Sequence, residues 1–210
     1  MSVKVKHLTA LEFSDDGFSY RRRSYTYQSI TAISFDAVHT KHYVNSVPTG
    51  SSYNAELILH LANGIGLDIK QPWAYFSGTQ KAIVEAMWKA NEIFSELTFD
   101  QRIEKYESQL RAKEFFAYGR YQFRRGGDLF KDCRLLFNIK KDGVSVLLRP
   151  SSISFVTKKT LAQKLASLFV NFEENIDIRR DRDCFLYMYK LAFGQFWPTE
   201  QYRERRANRT

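Results

Sequence analysis

Three side chains that could bind a metal, Asp36, His39 and His42, recur at a spacing of three residues. On a helix this spacing would bring the three groups together as metal ligands. The surrounding residues have the composition of strand and loop, where the same spacing does not converge. We therefore expect a solvent-facing segment here, with no metal site and no cofactor.

A second pattern, Leu67-Asp68-Ile69-Lys70, has the apolar–acid–apolar–lysine form of restriction-like nucleases. Such chemistry requires two carboxylates on Mg²⁺, here Asp68 with Asp36, and a lysine close to the attacking water. The pattern recurs as Ile176-Asp177-Ile178-Arg179, which is typical of an amphipathic strand. The nuclease therefore stays a third hypothesis, behind two binding functions.

Other catalytic signatures are missing from the sequence. It contains no Walker loop, no dinucleotide-binding glycine run and no nucleophile elbow. Neither Cys133 nor Cys184 has a neighbouring histidine that would activate it. We expect a protein that is not an enzyme.

Basic residues form clusters beside aromatic residues. The net charge is +9. The candidate binding residues are Arg21, Arg22, Arg23, Arg124, Arg125, Arg179, Arg180 and Arg182. A basic tail contains Arg203, Arg205 and Arg206. The flanking aromatics are Tyr20, Tyr25, Tyr121, Phe123 and Tyr202. Such combinations bind phosphates and stack on bases. Charged residues also populate hairpin tips and sheet edges, where they prevent pairing with other chains.

The composition is that of a folded domain protein. Hydrophobic residues make up 44% of the 210 residues and aromatic residues 15%, which exceeds what disordered chains contain. The start of the sequence lacks the apolar core of a secretory signal, and no apolar run approaches the ~20 residues of a membrane span. With only two cysteines, we expect a soluble protein in the reducing cytoplasm.

The arginine triplet lies where strand periodicity breaks. Phe18 and Tyr20 share one strand parity, and Tyr25 and Tyr27 share the other. This break predicts two short strands joined by a turn or bulge at residues 21–23. The preceding Asp-Asp-Gly at residues 15–17 predicts another tight turn.

Further elements follow from turn and helix signals. The polar segment 39–54 indicates a loop or irregular hairpin, and Asn63-Gly64 between alternating segments predicts a tight hairpin. Apolar spacing predicts a helix from Gln80 to about Arg111, whose later part is a second helix or an extension capped by Thr98 or Asp100. A packed C-terminal helix is predicted over residues 184–197.

The two halves of the sequence show a similar pattern. Asp16-Gly17 aligns with Asp142-Gly143, and an Ile-Ser-Phe step follows in both halves, at residues 33–35 and 153–155. The segment AELILHLANGIGLDIK resembles ASLFVNFEENIDIR, and each half ends in an aromatic-rich helix. We interpret this as a duplication with shorter loops in the second copy.

These patterns resemble the bacterial pleckstrin-homology-like family. The resemblance is carried by DDGFSYRRRSYTYQSITAI, ELILHLANGIGLDI, the helix from Gln80, KDGVSVLLRPSSISF and FVNFEENIDI. It implies an α+β fold with two antiparallel bent-sheet barrels, each closed by a C-terminal helix. The expected divisions are a first domain at 1–115, a linker at 116–132 hinged at Gly126-Gly127, and a second domain at 133–210.

The family binds peptides, proteins or lipid headgroups and is rarely catalytic. The resemblance therefore implies a non-catalytic binding or scaffold protein that engages an acidic partner, a protein or a membrane surface, through basic hairpins. The spaced basic motif of the lipid-binding members is not matched, which favours an acidic protein over membrane headgroups. The alternative function is nucleic-acid binding within a nucleoprotein complex, because the basic excess attracts any polyanion.

Overall fold

The computed structural model describes residues 3–149, 151–157, 173–194 and 199–200. The chain forms two compact units, residues 1–102 and residues 103–210. Both contain antiparallel sheets and helix, so the predicted α+β class is confirmed. Within the described residues the sheets do not close into a barrel.

The first unit begins with a four-stranded antiparallel sheet in the order β1-β2-β3-β4. Its strands are β1 (Val3–Lys4), β2 (Leu11–Phe13), β3 (Gly17–Tyr20) and β4 (Arg23–Thr26). The Asp-Asp-Gly turn joins β2 to β3 as predicted. Glycine is required at position 17 because a Cβ there would lie 2.1 Å from the Tyr25 carbonyl oxygen. Alternate residues of β2 and β3 are buried and contribute to the core of this unit.

A three-stranded antiparallel sheet follows. It consists of β5 (Ile30–Val44), β6 (Val47–Leu61) and β7 (Gly66–Ile69). The predicted Asn63-Gly64 turn connects β6 to β7, with Gly64 at a φ of +82°. Of the two alternatives predicted for residues 39–54, a loop or an irregular hairpin, the structure shows the hairpin. These residues continue β5 and β6 into a long two-stranded ribbon with a register shift between His42 and Tyr43, and their Val, Thr and Tyr side chains suit strands.

Helix α1 (Ser77–Lys113) is one continuous helix of 37 residues. The predicted helix is confirmed, but no second helix begins at Thr98 or Asp100. The Thr98 hydroxyl lies inside α1 and donates to the Phe94 carbonyl oxygen at 2.6 Å. The buried face of α1 in the first unit follows the predicted helical spacing, with Ile83, Met87, Ala90 and Phe94 in the core.

The second unit also begins with a four-stranded antiparallel sheet, and this corrects the predicted linker at 116–132. Its strands are β8 (Phe115–Tyr118), β9 (Tyr121–Arg124), β10 (Asp128–Lys131) and β11 (Arg134–Asn138). The strands are too short to show a clear alternation in sequence. Gly126 and Gly127, with φ of +98° and +103°, form the turn between β9 and β10 and are not a hinge between domains.

The rest of the second unit pairs a further antiparallel sheet with a helix. The strands β12 (Val144–Leu148), β13 (Ser152–Thr157) and β14 (Glu173–Asp177) are neighbours, and β15 (Thr199–Glu200) pairs parallel to β12. Helix α2 (Arg182–Phe193) confirms the predicted C-terminal helix, whose residues 195–197 lie outside the described part. The core is aromatic, with rings of Phe116, Phe123, Phe155, Phe185 and Tyr189 in mutual contact.

Each unit thus runs from a four-stranded sheet through a three-stranded antiparallel array to a helix. This order corrects the alignment of the sequence repeat. Asp16-Gly17 lies between β2 and β3, whereas Asp142-Gly143 precedes β12, so the two turns hold different places. Asp68 and Asp177 do correspond, because β7 and β14 are each the third strand of their array.

Candidate binding site at the turn between β3 and β4

The arginine triplet lies at the turn between β3 and β4. Tyr20 pairs with Arg23 across the hairpin, which leaves Arg21 and Arg22 as the two turn residues. The predicted hairpin tip is therefore confirmed. Its backbone is tied to the neighbouring turn, because the Arg21 N–H donates to the Ala10 carbonyl oxygen at 3.0 Å.

Both turn arginines have left-handed backbone geometry. The φ angles are +51° at Arg21 and +66° at Arg22, as in a type I′ hairpin turn. This turn favours Asn-Gly, because side chains with a Cβ are strained at positive φ. Two other hairpins place Asn45-Ser46 and Asp132-Cys133 at the same geometry, and each begins with a residue type that tolerates it. Arginine is not among the residue types that readily adopt positive φ.

The three arginines are exposed to solvent. The Arg21 guanidinium carbon lies 5.2 Å from the centroid of the Tyr20 ring, a cation–π contact that holds it beside the sheet. Within the part of the chain that the structure describes, none of the three forms an ion pair. Their positive charge is therefore available to a partner.

Arg21 also lines a cleft of about 350 Å³ in the first unit. Its exposed apolar surface comes from Ala10, Pro72 and Trp73, and buried Leu8, Leu11 and Ile69 lie beneath them. Lys70 and Trp73 line it as well, and both are exposed. No aspartate or glutamate lines the cleft among the described residues. The site therefore combines an apolar interior with two cations and an exposed indole.

The walls of the cleft are held together by a hydrogen bond distant in sequence. The Lys70 backbone N–H donates to the Tyr20 hydroxyl at 3.0 Å, which fixes the end of β7 beside the end of β3. Because Arg21 directly follows Tyr20, this bond places Lys70 near the arginine turn. The sequence pattern grouped Lys70 with Asp68 and not with the arginines.

The segment between β7 and α1 presents three exposed aromatic side chains that the sequence analysis missed. Trp73 is 85% exposed, Tyr75 77% and Phe76 72%. The Trp73 and Tyr75 ring centroids are 6.3 Å apart, and those of Tyr75 and Phe76 are 5.4 Å apart. The available signal was the run Pro-Trp-Ala-Tyr-Phe, which fits neither strand nor helix periodicity. Exposed aromatic clusters of this kind mark interaction surfaces.

Two glutamines hold this aromatic segment to β6. The Gln71 amide accepts from the Ala55 N–H at 2.7 Å and donates to the Tyr53 carbonyl oxygen at 3.1 Å. The Gln80 amide accepts from the Tyr53 N–H at 3.2 Å and donates to the Ala74 carbonyl oxygen at 3.0 Å. The backbone is thus positioned while the rings face solvent, which lowers the ordering cost of binding.

The other five predicted arginines lie in the second unit, and three of them, Arg124, Arg179 and Arg182, have local partners or partial burial. The Arg124 guanidinium carbon is 4.7 Å from the Phe130 ring centroid, and Arg179 forms an ion pair with Asp177. Arg125 and Arg180 are exposed, and Arg182 is half-buried at the start of α2. The eight arginines therefore belong to both units. The basic tail and Tyr202 lie outside the described residues.

The geometry contradicts a metal site at Asp36, His39 and His42. All three lie in β5, where alternate residues face opposite sides of the ribbon. His39 stacks on Tyr53 with the ring centroids 4.3 Å apart, and the His42 Nε2 lies 3.1 Å from the Ser52 hydroxyl. The proposed nuclease carboxylates are also separated, because Asp36 is on β5 and Asp68 is on β7, with β6 between them.

A different group in the second unit brings possible ligand types together. The carboxylates of Asp181 and Asp183 and the thiol of Cys184 lie within 4.8 Å of one another. Asp181 is buried, and its carboxylate accepts from the Lys105 ammonium and the Tyr106 hydroxyl, each at 3.3 Å. Burial, together with the Asp181 charge, raises the pKa of Tyr106. The described contacts of Asp181 are those of a structural link between α1 and α2.

No protein-family model, no curated protein and no solved structure matches this chain. Among the described residues, no helix combines the length and the apolar composition needed to cross a membrane. The interpretation of the site therefore depends on its own geometry and charge.

Proposed function

We propose that the protein is a non-catalytic binding module that captures an acidic segment of a partner protein. The observation that carries this proposal is the cleft of the first unit, where Arg21, Lys70 and Trp73 surround an apolar interior. Arg21 and Lys70, which form no ion pair with the residues that the structure describes, attract carboxylates, and an exposed indole supplies contact area. Tryptophan and arginine are also the residues most enriched at binding hot spots.

Backbone strain at the arginine turn supports the same function. Positive φ at a residue with a Cβ costs stability, and such strain concentrates at functional sites. Arg21 and Arg22 both carry this cost, although Asn-Gly would form the turn without it. A binding role accounts for arginines at these positions, because the turn projects their side chains next to the cleft.

A pleckstrin-homology-like fold for each unit is part of this proposal. The order of four strands, three strands and a terminal helix in each unit supports it. A cytoplasmic location fits the two free cysteines, exposed Cys133 and buried Cys184.

Affinity capture with matched variants tests the proposed function. The turn variant, Arg21→Asn/Arg22→Gly, removes two positive charges and keeps the hairpin. The charge control, Arg134→Gln/Lys141→Gln, removes two exposed positive charges from the second unit. We expect the wild type and the charge control to recover the same stoichiometric partner from native cells. The turn variant should lose it.

Recovery of that partner by the turn variant at the wild-type level would contradict the proposed site. Equal loss from both variants would show that capture depends on net charge alone. Purified partner should then bind the wild type directly, and a synthetic peptide copying its acidic segment should compete.

Single-stranded nucleic acid is a second candidate ligand, favoured by the exposed rings of Trp73, Tyr75 and Phe76 beside Lys70. Bases stack on exposed aromatics while cations bind the phosphates. Under this alternative, labelled oligonucleotides bind with an affinity that falls steeply as salt rises. Absence of oligonucleotide binding at low salt would remove it, and an effect of Trp73→Ala on that binding would support it.

A further inference from the structure

The cleft beside Arg21 contains more apolar surface than recognition of charge alone requires. Exposed Ala10, Pro72 and Trp73 line the cleft, with buried Leu8, Leu11 and Ile69 beneath them. Its volume, about 350 Å³, lies near the lower end of the range for ligand pockets. It therefore suits one large side chain better than a whole cofactor.

The charges of the cleft are arranged around this apolar interior. Arg21 follows β3 and Lys70 follows β7, and both side chains line the cleft together with Trp73. No carboxylate from the described residues lines it. An apolar group that enters the cleft would therefore be flanked by cations, which favours a ligand with negative charges close to that group.

We infer that the cleft binds an aromatic anchor residue of an extended peptide, with glutamate or aspartate on either side of the anchor. The anchor packs against the exposed apolar surface of Ala10, Pro72 and Trp73, and the flanking carboxylates pair with Arg21 and Lys70. This inference rests on the proposed function and adds the chemistry of the segment that is recognised.

The cleft is preorganised for such a ligand. The Tyr20 hydroxyl accepts from the Lys70 N–H, and the Ala10 carbonyl oxygen accepts from the Arg21 N–H. The turn that carries Ala10 is itself closed by a 2.9 Å hydrogen bond from the Leu11 N–H to the Leu8 carbonyl oxygen. Little backbone therefore needs to become ordered on binding, so contacts made by the anchor translate into affinity.

Paired peptides test the anchor. One short peptide carries a central phenylalanine flanked by glutamates, and its partner has alanine at the centre and the same charges. Fluorescence anisotropy measures their binding to the full-length protein. We expect the phenylalanine peptide to bind about tenfold more tightly, the gain for burying one large apolar side chain.

A cleft-filling variant assigns this difference to the cleft. Ala10 is exposed and lines the cleft, so Ala10→Trp occupies the space without changing the core. This variant should bind both peptides as weakly as the wild type binds the alanine peptide. The control, Ala62→Trp, places the same ring at an exposed position that does not line the cleft, and it should keep the tenfold difference. Thermal melts confirm that both variants are folded.

The outcomes separate the two proposals. Equal binding of both peptides, reduced by the turn variant, would overturn the aromatic anchor and leave the acidic-segment function intact. Binding of neither peptide would overturn the anchor, and a captured partner whose binding needs the arginine turn would still support the function. Binding of oligonucleotides or anionic vesicles with no binding of peptide would overturn both.

Discussion

Arg21 and Arg22 hold a backbone conformation that disfavours their own side chains. Each has positive φ, and the strain of a Cβ at such a position is of order 1 kcal/mol. The turn is nevertheless well paired, because Tyr20 and Arg23 close the hairpin. This combination of strain and exposure is what the proposed binding role predicts, because functional residues often reduce the stability of the fold.

The turn variant should consequently be more stable than the wild type. Replacing Arg21→Asn/Arg22→Gly introduces the preferred type I′ pair, and we expect the free energy of unfolding to rise by about 1 kcal/mol. Urea denaturation followed by circular dichroism measures it. The control Arg21→Lys/Arg22→Lys keeps both charge and strain, so its stability should equal that of the wild type. A turn variant less stable than the wild type would show that the arginines stabilise the fold.

A second residue-scale effect concerns Glu174 on β14. Burial alone would raise its pKa, but hydrogen bonds from Lys131, at 2.8 Å, and from Tyr121 outweigh burial and lower the pKa below its ordinary value of 4.5. The Glu174 side chain is 14% exposed and that of Lys131 is 31% exposed. The ionised carboxylate therefore stabilises the folded state.

The sign of the pH dependence follows from this lowered pKa. The stabilisation is present above pH 4.5 and is lost as the pH falls through the lower pKa of the folded state. Glu174→Gln should cost about 1–2 kcal/mol at pH 7, and its difference from the wild type should shrink below about pH 4.5. Urea titrations across this range measure it. Glu173→Gln, at an exposed neighbour, should follow the wild type, and a pH-independent difference for Glu174→Gln would contradict the charge argument.

At the scale of elements, the outer part of the β5–β6 hairpin is built differently from its base. Residues 39–50 are all exposed, whereas Ile33, Leu57 and Leu59 at the base are buried. The outer part holds itself together by cross-strand contacts such as the stack of His39 on Tyr53. A ribbon without a packed face adds little stability to a domain.

Shortening this ribbon should therefore leave the fold intact. Thr40 pairs with Ser52, so residues 41–51 can be replaced by an Asn-Gly turn between them. We expect the free energy of unfolding to change by less than about 0.5 kcal/mol, and peptide binding at the cleft to persist. Leu57→Ala in the base of the same hairpin should cost about 2–5 kcal/mol. Comparable losses in the two variants would show that the outer ribbon packs against the fold.

At the scale of the whole molecule, the net charge of +9 acts on association more than on the bound state. Under the proposed function, charges away from the cleft attract the acidic ligand during its approach, whereas Arg21 contacts it in the complex. Net charge and the arginine turn should therefore affect different rate constants.

Binding kinetics with the acidic phenylalanine peptide separate these contributions. The charge control should lower the association rate about two- to threefold at low salt and leave the dissociation rate unchanged. The turn variant should raise the dissociation rate about tenfold. Stopped-flow fluorescence measures both rates as salt is varied. Identical rate changes in the two variants would contradict a specific role for the turn.

Sequence patterns correctly predicted those turns and helices that depend on residues close together in the chain. The Asn63-Gly64 hairpin, the helix over residues 80–111 and the turn at the arginines depend on a few neighbouring residues or on a steady period. The strands between residues 115 and 131 were missed because four-residue strands are too short to show a period. The repeat was aligned on Asp-Gly turns, which recur in unrelated positions and therefore do not define the order of strands.

The sequence by itself determined the α+β class, the basic excess and the exposed turn at Arg21–Arg23. Only the tertiary structure decided which residues accompany that turn. Lys70 and Trp73 are about 50 residues from Arg21 in sequence. The hydrogen bond between the ends of β3 and β7 brings them to the same cleft as Arg21. Turn and helix preferences are local properties of the chain. The cleft depends on contacts between separate strands, which periodicity does not encode.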